Sequence, residues 1–301
     1  LMHFDLTDLR LFVHAAELGS LTRASQSQHL SLAAASLRIK ALEARLGQRV
    51  LVRGKVVRAT PAGQSLLAHI KQVRLMEGDL LEGSMQRSGA GALWQSLSVA
   101  VNADSLSSWF LPGVAPVLAR HHILLDLVID DQDHTHEALK SGDVVACVST
   151  QATAMRGCVA EPLGGMRYRC VGSPALVQKC QTRSGAVSAH RLLATPAVIF
   201  NRKDGLQDLF LAQHFDLQTP QYPRHHVPAV DAFESALASG MGWGMASDLL
   251  LAARRSQLPL VEVLPGSAVD VPLYWHHWIR ESTAAQHLTH AVKAAAKVLR
   301  T

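Results

Sequence analysis

The stretch from Ser20 to Arg53, SLTRASQSQHLSLAAASLRIKALEARLGQRVLVR, constrains this chain more than any other, because it asks for two helices joined too tightly to fold apart. Ser20 is placed to cap a helix from Leu21 to about Gln28. Ser31, beyond a turn at His29 and Leu30, is placed to cap a second that stops at Gly47. Two capped helices this close together read as a helix-turn-helix. On the second, Ala35, Ile39, Leu42 and Leu46 recur at spacings of four, three and four, so they form one apolar stripe that must face the module's own core. The opposite face carries Ala33, Ser36, Leu37 and Lys40. Small and hydroxyl side chains let a helix sit deep in the major groove of DNA, where serine bonds base edges or phosphates and an exposed leucine touches a thymine methyl.

A surface helix can carry such residues without meaning, so charge decides between the readings. Arg38, Lys40, Arg45, Arg49, Arg53, Lys55 and Arg58 face a single acid, Glu43, and such a cluster suits phosphate neutralisation. The charge of the whole chain, +5, is unevenly placed: residues 1–90 hold twelve Lys and Arg against seven Asp and Glu, while the remainder holds seventeen of each. A basic head on a neutral body means that only the head meets a polyanion.

Before this motif, DLTDLRLFVHAAEL puts Leu6, Leu9, Phe12 or Val13, and Ala16 on one helical face as a scaffold helix. After it, RVLVRGKVVRAT turns at Gly54 as a two-stranded wing, whose tip residues Arg53 and Lys55 can reach the DNA backbone or minor groove. Thr60 and Pro61 then open a long helix to about Arg87. Its stripe of Leu66, Ile70, Val73 and Leu80 is expected to pair with a second copy, against the competing reading that it packs on its own domain.

The expected domains are a DNA-binding winged helix-turn-helix over 1–59, a linker and dimerisation helix over 60–87, a small-residue hinge over 88–92 and a regulatory domain over 93–301. Strand candidates in the last are Leu97 to Val101, Ile123 to Ile129, Val144 to Val148, Ala197 to Phe200, His225 to Val227, Trp243 to Ala246, Leu260 to Leu264 and Leu273 to Trp278. Helix candidates lie between most of them, notably Asp104 to Ala119, Asp204 to Phe215, Asp231 to Ser239 and Ser282 to Leu299. This alternation predicts an α/β domain with largely parallel sheets, in which ligands bind beyond the carboxyl ends of strands.

The motifs LRLFVHAAELGSLTRAS, LSLAAASLRIKALEARLGQRVLVR and ATPAG resemble the LysR-type transcriptional regulators. VNADSLSSWFLP, GCVAEPLGGMRYRCVGSP, FNRKDGLQDLFL, GMGWGM and VPLYWHHW are similar to the subfamily of arginine- and lysine-responsive activators of basic amino acid exporters, also described as chromosome initiation inhibitors. The resemblance implies a winged helix-turn-helix, a dimerising linker helix and a periplasmic-binding-protein-like α/β domain whose two lobes close on a small effector. It also implies that Ser36, Arg38 and Arg53 touch DNA or its flanks. Leu32 and Leu37 depart from the polar residues of many relatives, and Ser25 replaces the second alanine of the usual pair.

The expected DNA-facing set is therefore Ser20, Thr22, Ser31, Ala33, Ser36, Leu37, Arg38, Lys40, Arg53 and Lys55. The expected effector set follows the strand ends: Asp104, Ser105, Asp131, Gln132, Ser149, Thr150, Asn201 and Asp231. Lysine or arginine needs an anion site for its carboxylate, acceptors for its ammonium and an acid at its far end. Asp104, Asp204 and Asp231 could each serve as helix caps only, but several carboxylates at one cleft suit a cation. No cofactor and no metal are expected. Adjacent histidines (His121 and His122, His225 and His226, His276 and His277) point to opposite faces of a strand. The expected partners are double-stranded promoter DNA and further copies of the chain as dimer and tetramer, with RNA polymerase as a further candidate and no membrane.

The four cysteines, Cys147, Cys158, Cys170 and Cys180, are too widely spaced for a zinc site or redox pair and suit buried thiols. Lacking a long apolar run or a secretory pattern at LMHFDLTDLR, the chain is expected in the cytoplasm. An enzyme would need a catalytic motif that is missing, and a solute-binding protein would not explain the basic head. A regulator of another metabolic operon with a different effector is the remaining alternative.

Overall fold

The computed structural model describes residues 4–52, 54–88, 94–129, 132–254 and 257–299, with side chains described except at 80–88 and 132–135. Arg53, Asp131 and the Gln132 side chain lie outside the described residues.

The head consists of α1 (Leu6–Glu17), α2 (Leu21–Ser27), α3 (Leu32–Leu46) and a wing of β1 (Leu51–Val52) and β2 (Arg58–Ala59). Ser20 Oγ accepts from Arg23 N at 3.3 Å and Ser31 Oγ from Ala34 N at 3.2 Å, so both expected caps form. The turn between them needs one residue in the left-handed region, and His29 supplies it at φ 54°. Ala35, Ile39 and Leu42 are fully buried, as the stripe requires. The scaffold helix is rotated from its expected face: Leu11, Phe12, Val13 and Ala15 are buried, while Leu6 is 62% exposed. The displacement follows from two helices packing on α1, which widens its buried arc beyond one stripe.

Thr60 Oγ1 accepts from Gly63 N at 3.0 Å and caps α4 (Pro61–Ser88), the linker helix. Leu66 and Ile70 do not wait for a second copy. They are buried in the head's own core, and the competing reading holds for that half of the stripe. A Cβ at Gly63 would stand 2.1 Å from the Val50 carbonyl oxygen. Gly63→Ala is therefore expected to push the linker off the wing at a cost of about 1–3 kcal/mol, read as a lower denaturation midpoint of the head.

The body follows as β3 (Gln95–Ala100), α5 (Ala103–Ser105), a π-helical turn over Leu106–Phe110, α6 (Leu111–Arg120), β4 (Ile123–Val128), α7 (Gln132–Lys140), β5 (Ala146–Ser149) and β6 (Cys158–Gly172). Then come α8 (Pro174–Cys180), α9 (Ala189–Ala194), β7 (Ala197–Ile199), α10 (Leu206–Phe215), β8 (Arg224–His226), α11 (Val230–Ala238), β9 (Gly244–Ser247) and α12 (Asp248–Arg254). The chain closes with β10 (Val261–Glu262), β11 (Val269–Trp278), α13 (Thr283–Ala295) and a 3-10 turn.

The expectation of largely parallel sheets is corrected. β3 pairs in parallel with β4 and β5, and β7 with β8, but β6 is antiparallel to β9, β10 and β11, and β11 is antiparallel to β5. The long β6 and β11 cross between the lobes. The last residues of β11 lie between β5 and the first residues of β6 at one end, and Tyr168 to Gly172 of β6 lie beside β9 and β10 at the other. One apolar core runs along them through Met166, Tyr168, Leu273 and Trp275. The four cysteines are buried and unbridged. Burial raises the Cys147 thiol to about 12, and the neighbouring Cys158 adds to the effect. No helix among the described residues is long and apolar enough to cross a membrane.

Candidate functional site

The head presents α3 with Ala33, Leu37 and Lys40 exposed, Leu37 at 67%. Thr22 and Lys55 are exposed beside it, Ser36 is half-buried, and Ser20 and Ser31 use their hydroxyls as caps. Arg38 is tied down: its Nη1 donates to Asp8 Oδ1 at 2.8 Å, with Arg45 3.6 Å from the other oxygen. Asp8 is 3% exposed, so Arg38 first compensates a buried carboxylate and presents only its outer edge to a partner. Ser25 is buried and its hydroxyl donates to the Thr22 carbonyl, the packing change expected at that position.

At the carboxyl end of β3 the chain turns through Asn102 into the helical run of α5, π turn and α6. The Asp104 carboxylate accepts from Tyr168 Oη at 2.8 Å. Burial raises its pKa above the ordinary carboxylate value, the Tyr168 bond opposes this, and Asp204 adds to the rise. Glu234 is 2% exposed and its pKa is raised by burial, with Asp231 and Asp104 contributing and Arg254 opposing. The Asp204 and Glu234 carboxylates, from two other segments, thus each lie within electrostatic reach of Asp104. Beside them the buried Asn102 Oδ1, Ser105 Oγ and Trp109 Nε1 have no hydrogen-bond partner among the described residues. Polar atoms left in this state mark a place where a ligand completes the bonding.

The other expected effector residues divide. Ser149 is buried and its Oγ accepts from Gln151 N at 3.2 Å, with half-buried Thr150 next to it. Asn201 Oδ1 accepts from Lys203 N and Asp204 N and so builds the loop that presents Asp204. Asp204 in turn accepts from Phe200 N and Leu206 N, making it a cap as well as a neighbour of Asp104. Asp231 is corrected: its side chain is 82% exposed and bonded to Arg254, because it opens α11 on the outer side, whereas Glu234, three residues on, is buried.

Residues 6–64 match the bacterial regulatory helix-turn-helix proteins of the LysR family, and residues 93–297 match the LysR substrate-binding domain. The chain belongs to the LysR family. It is 38% identical over 294 residues to the HTH-type transcriptional regulator ArgP of Pseudomonas aeruginosa, covering 97% of this chain and 96% of that one. Among solved structures it resembles ArgP from Mycobacterium tuberculosis, with TM-score 0.87, 35% identity and 99% of each chain covered. It also resembles full-length LysG from Corynebacterium glutamicum with bound effector Arg, with TM-score 0.83, 30% identity and coverage of 99% of this chain and 100% of that one. The LysR-family chain is thus a transcriptional regulator and not an enzyme.

Sequence reasoning missed Tyr168, Trp109 and Asn102 in this regulator and weighed Asp204 only as a cap. A signal for Tyr168 existed: Met166, Tyr168 and Cys170 alternate inward along β6. Of the histidine pairs, His276 and His277 lie on β11 and meet different surroundings, whereas His121 and His122 lie in the turn before β4 and not on a strand. His276 Nε2 bonds the Gln151 carbonyl at 2.7 Å and its ring lies 4.6 Å from that of His136, while His277 faces Glu281 at 3.3 Å and Glu161 at 3.6 Å. Burial opposes the charged form of His277, but Glu281, the Trp278 carbonyl and Glu161 outweigh it and raise its pKa. A raised histidine stabilises fully below its unfolded pKa of about 6.5 and loses that contribution as pH rises through the folded value. His276 and His136 are lowered chiefly by burial and act in the opposite sense, so the comparison with a variant is the useful one. Between about pH 6 and pH 8 the melting midpoint of the wild type should fall relative to that of His277→Gln by roughly 2–4 °C, measured by calorimetry.

Proposed function

We propose that this regulator senses a basic amino acid, arginine or lysine, in the cleft at Asp104, and uses it to change how paired heads hold the promoter of a basic amino acid exporter gene. The observation that carries the reading is the half-buried Asp104 carboxylate, near Asp204 and Glu234 and adjacent to the unpartnered Ser105 hydroxyl and Trp109 N–H. A guanidinium or ammonium relieves carboxylates gathered in a poorly solvated place, and the Ser105 and Trp109 donors suit the effector's own carboxylate. The related LysG with bound Arg supports the choice of cation. In this reading Ser149 and Thr150, which follow β5, and Asp131 and Gln132, which follow β4 in sequence, are further effector contacts.

The exposed face of α3 with Lys40, and the wing with Arg53 and Lys55, hold the DNA. Self-association as dimer and tetramer uses the linker helix beyond Ile70, where Val73 is half-buried and Met76 is 37% exposed. An effector shifts such an assembly only by its difference in affinity between two arrangements.

The test is titration calorimetry of the full chain with arginine, lysine, glutamate and leucine, paired with gel shifts on DNA upstream of the neighbouring gene. Arginine or lysine should bind at least about tenfold tighter than the other two and change the pattern of DNA complexes. Equal or absent binding of all four overturns the basic-effector reading, and no shift at moderate salt overturns the DNA-holding reading.

A further inference from the structure

The linker helix does not run free of the body. Lys71 Nζ bonds Asp143 Oδ1 at 2.7 Å in the turn after α7, and Asp79 Oδ2 accepts from Thr283 N at 2.8 Å at the start of α13. Gly142, at φ 70°, lets that turn come so close that a Cβ there would stand 2.7 Å from Ala68 Cα. Between these contacts the helix and the first lobe enclose a cavity of about 260 Å³, remote from Asp104 in its lining.

Its walls are apolar where Leu75, Val144 and Ala285 meet the half-buried ring of Trp278. The charged groups that line it are Lys71, Arg74, Asp143, Arg280 and Glu281. Both acids are already engaged: Asp143 by Lys71 and Ser141, and Glu281 by Thr289 and His277. Arg74 and Arg280 make no ion pair among the described residues, so two cationic residues, one on the linker and one on the body, line the pocket with no carboxylate of their own, beside acids that other groups already engage. Two cations over apolar walls fit a ligand with one negative end and a hydrocarbon or ring body. The volume is at the small end for such sites, which limits the body to a short chain or a single ring.

We propose that this cavity is a second small-molecule site, distinct from the effector cleft, that takes a small organic monocarboxylate between Arg74 and Arg280. A ligand bridging the two ties the linker helix to the first lobe and so restricts the head relative to the body. It adds to the Lys71 and Asp79 contacts rather than replacing them.

Hexanoate is the probe, with 1-hexanol and hexylamine as neutral and charge-reversed controls, titrated into the full chain up to roughly 10 mM by calorimetry. Hexanoate should bind about tenfold or more tightly than either control, and Arg74→Ala and Arg280→Ala should each weaken it by about tenfold. Both side chains are exposed and unbonded, so the variants should keep the wild-type melting midpoint. Asp104→Asn should leave hexanoate binding unchanged, which separates this site from the effector cleft. No binding to the wild type, as when a second copy's linker helix fills the cavity, overturns the proposal. Equal affinity in the double Arg74, Arg280 alanine variant or loss of binding in Asp104→Asn does the same.

Discussion

Asp104→Asn should weaken arginine binding by about 100-fold, near 3 kcal/mol, while leaving the uncomplexed protein at least as stable as the wild type. The two halves of this result come from one fact. A carboxyl whose folded pKa lies above its unfolded value binds protons more readily in the native state, so folding is favoured as pH falls and the ionised form is a burden near neutrality. Asparagine removes that burden and keeps an oxygen for the Tyr168 hydroxyl. It cannot compensate a guanidinium, so the affinity falls although the shape is kept. The same raised pKa makes a proton compete with arginine: affinity should drop as pH falls through the Asp104 value, and binding near that pH should release a proton, visible as a heat that depends on the buffer. Unchanged arginine affinity in Asp104→Asn would remove Asp104 from the effector site. Tyr168→Phe supplies the counterpart, since it deletes the bond that favours the ionised form and should shift the pH profile toward higher pH with a smaller loss of affinity.

What the sequence disclosed about the fold and this proposed site and what it concealed divide along sequence separation. The stripe Ala35, Ile39 and Leu42 and the caps Ser20, Ser31 and Thr60 were legible because helix period and capping act within a few residues. The strand β6 was not. Pro162, Gly164 and Gly165 interrupt its pattern, and it is held as a strand by β11, about a hundred residues away, with a bulge where Leu273 pairs Gly164 and Tyr274 pairs Pro162. With β6 unseen, the antiparallel crossing and Tyr168 were unseen too. The expectation of Asp231 had the same limit, since Glu234 stands one helical turn on. Both lie on one face of α11, and only packing against the rest of the lobe decides which is covered. The linker stripe erred in the other direction: an apolar repeat states that a face is covered but not by what, and for Leu66 and Ile70 the cover is the head itself.

Trp275→Ala should lower the stability of the body by about 3–5 kcal/mol, abolish the arginine response and leave the head able to hold DNA. Trp275 is fully buried on β11 where that strand pairs Val148 on one side and Glu161 on the other. Its indole N–H donates to Thr289 Oγ1 at 2.9 Å, and Thr289 donates to Glu281 Oε1 at 2.6 Å, which ties the crossing strand to α13. The Phe110 ring, 6.4 Å away, ends the π turn that begins just after Asp104 and Ser105. Truncation leaves a cavity under that turn, so the loss reaches Asp104 and Ser105 without touching them. The head has a separate core around Phe12, Ile39 and Leu42, which is why DNA binding should survive at temperatures where the body loosens. Trp275→Phe separates the two contributions: the ring contact stays, Thr289 keeps Glu281 as acceptor, and the cost should fall to about 1–2 kcal/mol. Urea unfolding followed by body tryptophan fluorescence, with gel shifts at low temperature, gives both readings. A Trp275→Ala body within about 1 kcal/mol of the wild type would mean that α13 and the π turn are held by the remaining core alone.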